Sequence, residues 1–99
     1  MAKVYIITLE DVEQRKSGLM KELGKEVWHD FSIEGVFFSK DSAVKKLKEF
    51  CEENRGKDDY KNHLSHEVYD VNEHYYVEYD YRAVTRWYDY IIVELEVES

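Results

Sequence analysis

Two stretches near the end of this 99-residue chain alternate between two kinds of side chain, and this period of two constrains the fold more than any other feature. The alternation runs over residues 75–82 and again over residues 91–98. Successive side chains of a β-strand point to opposite faces of a sheet, so each stretch predicts a strand with one inward face. The odd-numbered residues are the predicted inward set: Tyr75, Val77, Tyr79, Tyr81, Ile91, Val93, Leu95 and Val97.

The connection between the two stretches leaves an alternative open. Residues 83–86 contain no Gly or Asn, the residues that tight hairpins prefer. Apolar residues also recur at helical spacing between Val77 and Leu95, which would suit a helix. Tyr, Val, Ile, Thr and Trp favour strands over helices, however, and the composition therefore favours an antiparallel hairpin.

The first half of the chain predicts two further strands. Residues 3–9 are apolar on both faces, as expected for a central buried strand. Aromatic and branched residues recur over residues 27–38, where Gly35 indicates a β-bulge or a close approach to the backbone. One face of this second strand is expected to hold Val27, Phe31, Ile33 and Phe37. The intervening residues 10–26 predict a loop with one helical turn near residues 19–23.

One amphipathic helix is predicted over residues 40–54. Ser39 is a suitable N-cap, and Asp41 places a negative charge in the first turn, where it interacts favourably with the helix dipole. The sequence Asn-Arg-Gly at residues 54–56 is a stop signal. The apolar residues at helical spacing are Ala43, Val44, Leu47, Phe50 and Cys51. Cys51 is the only cysteine, and its helical position predicts a buried thiol. A single cysteine cannot form an internal disulfide, which agrees with a reducing compartment and with the cytoplasmic location that we expect.

These elements predict one domain of the α+β class over residues 1–99. We expect a mainly antiparallel sheet of four or five strands in the chain order β-β-α-β-β, with one amphipathic helix on one face. Residues 58–66 are polar and predict a loop, and a short strand could follow at residues 67–71.

The formal net charge of −8 is concentrated in the last third of the chain. Residues 66–99 contain 2 Lys or Arg against 9 Asp or Glu, whereas residues 1–65 contain 12 against 13. A negative field of this kind repels nucleic acid and anionic membranes and favours a basic partner. A net charge of this size is also common in small domains simply because it keeps them soluble. No apolar run approaches the roughly 18 residues that a membrane helix needs. We therefore expect neither direct nucleic-acid binding nor membrane insertion.

A partial resemblance rests on the sequence Gly-Val-Phe-Phe-Ser-Lys-Asp-Ser-Ala at residues 35–43. A strand that runs through this turn into an amphipathic helix, followed by a closing Glu-rich strand, resembles short uncharacterised domains found in bacteria and phages. The resemblance implies a fold but no activity. The tyrosine-rich segment between the helix and the last strand departs from the compact pattern of such domains, and function is expected there.

The chain offers few residues for catalysis or cofactor binding. It contains no Gly-rich phosphate loop and no nucleophile elbow, so we expect a protein that is not an enzyme and needs no cofactor. His63, His66 and His74, with nearby acids, are the only concentration of metal-ligand residues, but they match no strong spacing motif. A metal-binding protein that uses these three histidines is a minor alternative.

The functional hypothesis comes from tyrosines and acids at the C-terminal end. Seven of the nine tyrosines lie between Tyr69 and Tyr90. Carboxylates and tyrosine rings suit a basic protein surface, because they pair with and stack on Arg and Lys. If the odd-numbered residues of both strands face inward, the outward face presents Tyr76, Glu78, Asp80, Tyr88, Tyr90, Glu94, Glu96 and Glu98.

Two functions are compatible with such a face. The first is a non-enzymatic interaction protein that binds a basic surface of a nucleic-acid-handling protein. In character it is similar to phage-encoded nucleic-acid mimics, which inhibit host restriction, CRISPR or DNA-handling proteins. The alternative is a housekeeping domain that forms a homodimer through its sheet, with Tyr88, Tyr90 and Ile92 at the seam.

Overall fold

The computed structural model describes residues 2–16 and 27–98, which form one five-stranded antiparallel sheet and two helices. The predicted α+β class is therefore confirmed. The elements in chain order are β1 (Ala2–Arg15), β2 (Val27–Phe37), α1 (Lys40–Arg55), α2 (Asp58–His63), β3 (Leu64–Asp70), β4 (His74–Asp80) and β5 (Val84–Val97). Neither helix has the length and apolar composition that crossing a bilayer requires.

The two longest strands form the centre of the sheet, whose order is β2-β1-β5-β4-β3. β1 pairs with β5 along its whole length, from Ala2 opposite Val97 to Arg15 opposite Val84. The predicted loop at residues 10–15 is therefore wrong. Polar side chains do not end the strand, because Arg86 on β5 neutralises Asp11 across the ladder. The helical turn predicted near residues 19–23 lies outside the described residues.

β2 pairs with β1 and contains the bulge that Gly35 predicts. Ile7 faces Gly35 and Thr8 faces Ile33, so one residue of β2 is extra. A Cβ atom on Gly35 would lie 2.7 Å from the Phe37 ring, which confirms the predicted close approach. The extra residue reverses the alternation, so Phe37 lies on the helix side, opposite Tyr5. The prediction that Phe37 shares a face with Val27, Phe31 and Ile33 is therefore wrong.

Helix α1 begins where the sequence predicts. The Ser39 hydroxyl oxygen accepts a hydrogen bond from the Ser42 backbone N–H at 3.2 Å, and the Gly56 N–H donates to the Glu52 carbonyl at 3.1 Å. Its side facing the sheet buries Ala43, Leu47, Cys51 and Asn54. Sixteen residues of helix span about 24 Å, whereas fourteen residues of strand span about 46 Å, so α1 covers only part of the sheet.

The segment after α1 is more regular than its polarity suggests. The predicted loop at residues 58–66 is wrong, because α2 and the start of β3 occupy it. Asp58 and Asp59 lie in the first turn of α2, where acids are stabilised by the helix dipole. The short strand expected at residues 67–71 is present as β3, and the predicted hairpin of β4 and β5 is confirmed.

The register of this hairpin decides which side chains enter the core. Tyr75 faces Tyr90 and Val77 faces Tyr88, so odd-numbered residues of β4 share a face with even-numbered residues of β5. The prediction that odd-numbered residues face inward is thus right for β4 and wrong for β5. The core beneath α1 consists of Ile7, Leu47, Cys51, Tyr75, Val77, Tyr79 and Tyr90.

Candidate interaction surface

The sheet face opposite the helices, which we call the open face, carries a continuous group of apolar side chains. It spans β2, β1 and β5, because Val36, Ile6 and Val93 face one another across the three strands. Val4 pairs with Leu95 in the adjacent row. We define this group as the apolar patch: Val4, Ile6, Phe31, Ile33, Val36, Ile91, Val93, Leu95 and Val97.

Most of the apolar patch is exposed. Ile33 is 61% exposed and Phe31 60%, while Leu95 at 45% and Val93 at 37% lie nearer the middle of the sheet. An antiparallel sheet with one solvated face normally places polar residues on that face, and β5 does the reverse. The patch exposes on the order of 600 Å², the upper end of what monomers tolerate.

The carboxylates of the open face lie beside the apolar patch and already have partners. Glu10 lies 3.1 Å from the His29 ring, and Asp89 contacts His74. Glu78 accepts hydrogen bonds from the hydroxyls of Tyr76 and Ser65. Each of these three carboxylates therefore has a close polar partner within the chain.

At the far end of the open face, Asp80 pairs with Lys16 and accepts a hydrogen bond from Thr85. The Lys16 contact holds the pKa of Asp80 below its ordinary value. This acid therefore also has its counter-charge within the chain.

The eight residues of the predicted partner-binding face do not share one face. Because Tyr75 faces Tyr90 across β4 and β5, the parity of the two strands differs. Tyr76, Glu78 and Asp80 lie on the open face, whereas Tyr88, Tyr90, Glu94 and Glu96 lie on the helix side. Glu98 follows the last residue of β5 and is exposed. The prediction of a single acidic, tyrosine-rich surface is therefore wrong.

Of the two tyrosines of the predicted dimer seam, Tyr90 belongs to the core and Tyr88 is partly buried against it. Tyr90 is 7% exposed and stacks on Phe50 and Tyr75, with ring centroids 4.8 and 5.9 Å away. Burial raises the pKa of Tyr90 to about 12. Tyr88 and Ile92 pack against the same cluster. A seam through Tyr88, Tyr90 and Ile92 is wrong because these side chains face the helix.

The acids of the last strand form a smaller exposed row on the helix side. Glu94 and Glu96 are exposed, and both lie near Lys3 of β1. The Lys3 Nζ atom is 3.7 Å from a Glu94 carboxylate oxygen, and Glu96 faces Lys3 in the ladder. Part of this negative charge is therefore balanced within the chain.

The three histidines do not converge on a common point. The His63 ring packs 4.6 Å from the Tyr81 ring and His66 packs edge-on to Tyr76, while His74 contacts Asp89. Among residues 2–16 and 27–98, no group of three or more His, Cys, Asp or Glu could hold a metal ion. The geometry therefore gives no support to the alternative of a metal site on these histidines.

Sequence reasoning missed a polar network under the end of α1. Glu67 of β3 accepts two hydrogen bonds from Arg55, at 2.8 and 3.1 Å, and one each from Tyr60 and Tyr75. Burial alone would raise the pKa of Glu67, but these hydrogen bonds outweigh it and hold the pKa below 4.5. The network ties both helices to β3 and β4. Its members lie on four different elements that only the fold brings together, so no local sequence signal identifies it.

A second missed pair holds the far end of the sheet together. Arg86 donates two hydrogen bonds to the Asp11 carboxylate, at 3.1 and 2.8 Å, and Asp11 is 9% exposed. The guanidinium also lies 5.8 Å from the Trp28 ring and 5.1 Å from the Tyr88 ring. This arginine bridges three strands and is structural, because its donors face inward to an acid of the same chain.

Within residues 2–16 and 27–98, the fold and the surface together define a two-layer α+β protein in which no helix covers the apolar open face. No known protein family matches the chain, and no curated protein or solved structure was found to match it. The resemblance to short bacterial and phage domains thus stays a prediction.

Proposed function

We propose that this is a non-enzymatic interaction protein whose interface is the apolar patch of the open face. The supporting observation is the inverted alternation of β5, which exposes Ile91, Val93, Leu95 and Val97 and turns tyrosines inward. The patch consists of Val, Ile, Leu and Phe side chains, so its chemistry calls for an apolar, uncharged partner surface.

The magnitude of the hydrophobic effect supports a stable complex. Covering on the order of 600 Å² of apolar surface at about 25 cal/mol per Å² yields roughly 15 kcal/mol from this side alone. Association costs about 4–15 kcal/mol in lost translational and rotational freedom. The patch thus supplies hydrophobic free energy of the same order as the cost of association, which one exposed leucine would not.

A second candidate keeps part of the acidic-surface hypothesis. Glu94 and Glu96 are exposed on the helix side of β5, and Glu98 follows them, so this row could meet a basic protein surface. A phage-encoded inhibitor that mimics nucleic acid is the narrowest form of this candidate. If it is correct, binding to the basic partner weakens steeply with salt and is lost when Glu94, Glu96 and Glu98 are all changed to Gln.

A cytoplasmic location forms part of the proposal. The only cysteine, Cys51, is a free thiol that is 1% exposed in the core. Burial raises the pKa of the Cys51 thiol, so the reactive thiolate is disfavoured. A buried, unreactive thiol of this kind suits a reducing compartment.

Site-specific photo-crosslinking tests the proposed interface whatever the partner protein is. A photoreactive amino acid is placed at Val93 in the patch, and the matched control carries it at Glu94, which lies on the other face of β5. We expect crosslinked products from position 93 and few from position 94. Equal yields from both positions, or none from position 93, would contradict an interface on the open face.

A further inference from the structure

We propose that the partner of the apolar patch is a second copy of this chain, so that two open faces pack into a symmetric β-sandwich. The inference rests on the proposed function and names its partner. Two sheets that pack face to face lie about 10 Å apart, with strands rotated by about 30°, and interdigitate the branched side chains of their inner faces. The patch is rich in the Val and Ile residues that such packing uses.

The exposed area matches what a dimer needs. A standard protein interface buries about 800 Å² on each partner, and the apolar patch exposes on the order of 600 Å². The remainder is available from flanking groups of the open face, such as Thr8 and Trp87, which are half-buried. An interface between two identical apolar patches would be more apolar than average, as homodimer interfaces are.

The distribution of charge allows self-association despite the formal net charge of −8. Glu94 and Glu96 point away from the open face, so these two carboxylates of one copy do not meet those of the other across the interface. On the open face itself, Glu10 and Asp89 each lie against a histidine of the same chain. The apolar patch contains no carboxylate with which a basic partner could pair, whereas an identical apolar patch can pack against it.

The two-fold symmetry of the proposed dimer predicts at which residues a substitution weakens dimerisation most. In a two-fold interface the same patch serves both copies, and residues near the axis meet their own counterparts. Ile6 and Val93 face each other in the middle of the apolar patch, with Val36 beside Ile6. We place the axis close to this row, so a charge introduced at Val93 is brought against an identical charge.

Light scattering and sedimentation of the purified chain test the inference. We expect a species of twice the chain mass of 12.0 kDa, with a dissociation constant that changes little between low and high salt. Val93→Lys should weaken dimerisation by about a hundredfold or more, because two like charges are desolvated together. The matched control Glu94→Lys, on the other face of β5, should change it by less than about threefold.

Folding of each variant is checked by circular dichroism and thermal melting. If Val93→Lys does not fold, the gentler pair Ile33→Thr with Val93→Thr replaces it and should also dissociate the dimer. A wild-type chain that is monomeric at every concentration, or that forms only open-ended aggregates, overturns the inference. So does a dimer that responds to Glu94→Lys and ignores Val93→Lys.

The two proposals fail in different ways. If the chain is monomeric but position 93 crosslinks to another protein in cells, the open face is an interface and only the second copy is wrong. If position 93 yields no crosslinked product to any polypeptide, both proposals fail.

Discussion

At the scale of single residues, the buried polar side chains of the described part of the chain all have hydrogen-bond partners. Among the described residues, no buried side-chain nitrogen or oxygen lacks a hydrogen-bond partner. Asn54, only 3% exposed, donates to the Phe50 carbonyl and accepts from the Tyr79 hydroxyl. Glu67 has four donors. An unmatched group in such a place costs about 1–3 kcal/mol, so these contacts specify how α1 sits on the sheet.

Replacing Glu67 by Gln should destabilise the fold. The amide keeps the shape but loses the charge that Arg55 pairs with, and one of its atoms becomes a donor facing other donors. Because the Arg55 side chain is 47% exposed and screened by water, we expect a loss of only about 1–2 kcal/mol in the free energy of unfolding.

Urea denaturation measures this loss. The matched control is Glu49→Gln, which breaks the exposed ion pair with Lys46 and should change the free energy of unfolding by less than about 0.5 kcal/mol. Equal effects of the two substitutions would show that the Glu67 network adds nothing to stability.

Glu67 should also contribute to acid sensitivity. Its pKa is lower in the folded protein than its ordinary value of 4.5, so folding favours the ionised form. Because protonation is linked to folding, the stabilisation by Glu67 is fully present above pH 4.5 and is lost as the pH falls through the folded-state pKa. The pKa of Asp80 is also lowered by folding, so Asp80 adds to the acid sensitivity of both proteins. The difference in the free energy of unfolding between wild type and Glu67→Gln therefore isolates the contribution of Glu67.

Urea denaturation at a series of acidic pH values tests this sign. The stability gap between wild type and Glu67→Gln should shrink as the pH is lowered below 4.5. A gap that stays constant, or grows, would mean that the Glu67 carboxylate is not stabilised by folding.

At the scale of elements, the sequence predicts the presence of strands better than their orientation. The period of two identifies β4 and β5, and Ser39 and Gly56 mark the ends of α1. Which face of β5 is buried depends on the register across residues 81–83, and one residue more or less reverses it. The bulge beside Gly35 has the same effect on Phe37. The site prediction failed at this level, because alternation alone carries no information on register.

The bulge in β2 yields a prediction of its own. In Gly35→Ala the new methyl group would meet the Phe37 ring at 2.7 Å, so the ring has to move. We expect a loss of about 1–2 kcal/mol in the free energy of unfolding from this overpacking. In a Phe37→Ala background the obstacle is absent, and the same substitution should cost much less.

A double-mutant cycle measured by urea denaturation compares the two backgrounds. If Gly35→Ala costs the same with and without the Phe37 ring, the close contact is not the reason for glycine at this position.

At the scale of the whole molecule, the chain is a slab of 54 × 29 × 15 Å with two unequal surfaces. Helices and the row of Glu94 and Glu96 lie on one side, and the apolar patch lies on the other. Compact domains normally bury both the apolar stripe of a helix and the apolar face of a sheet. In the part of the chain that the structure describes, α1 covers one face only, and a second copy on the open face would supply a further layer.

The accessibility of an introduced thiol tests this claim most directly, because Cys51 is buried and a new cysteine would be the only one exposed. The rate of maleimide labelling is compared between Val93→Cys and Glu94→Cys over a range of concentrations of purified protein. If the open face is covered by a second copy, position 93 labels far more slowly than position 94 at high concentration, and dilution removes the difference. Equal rates at every concentration would contradict a covered open face.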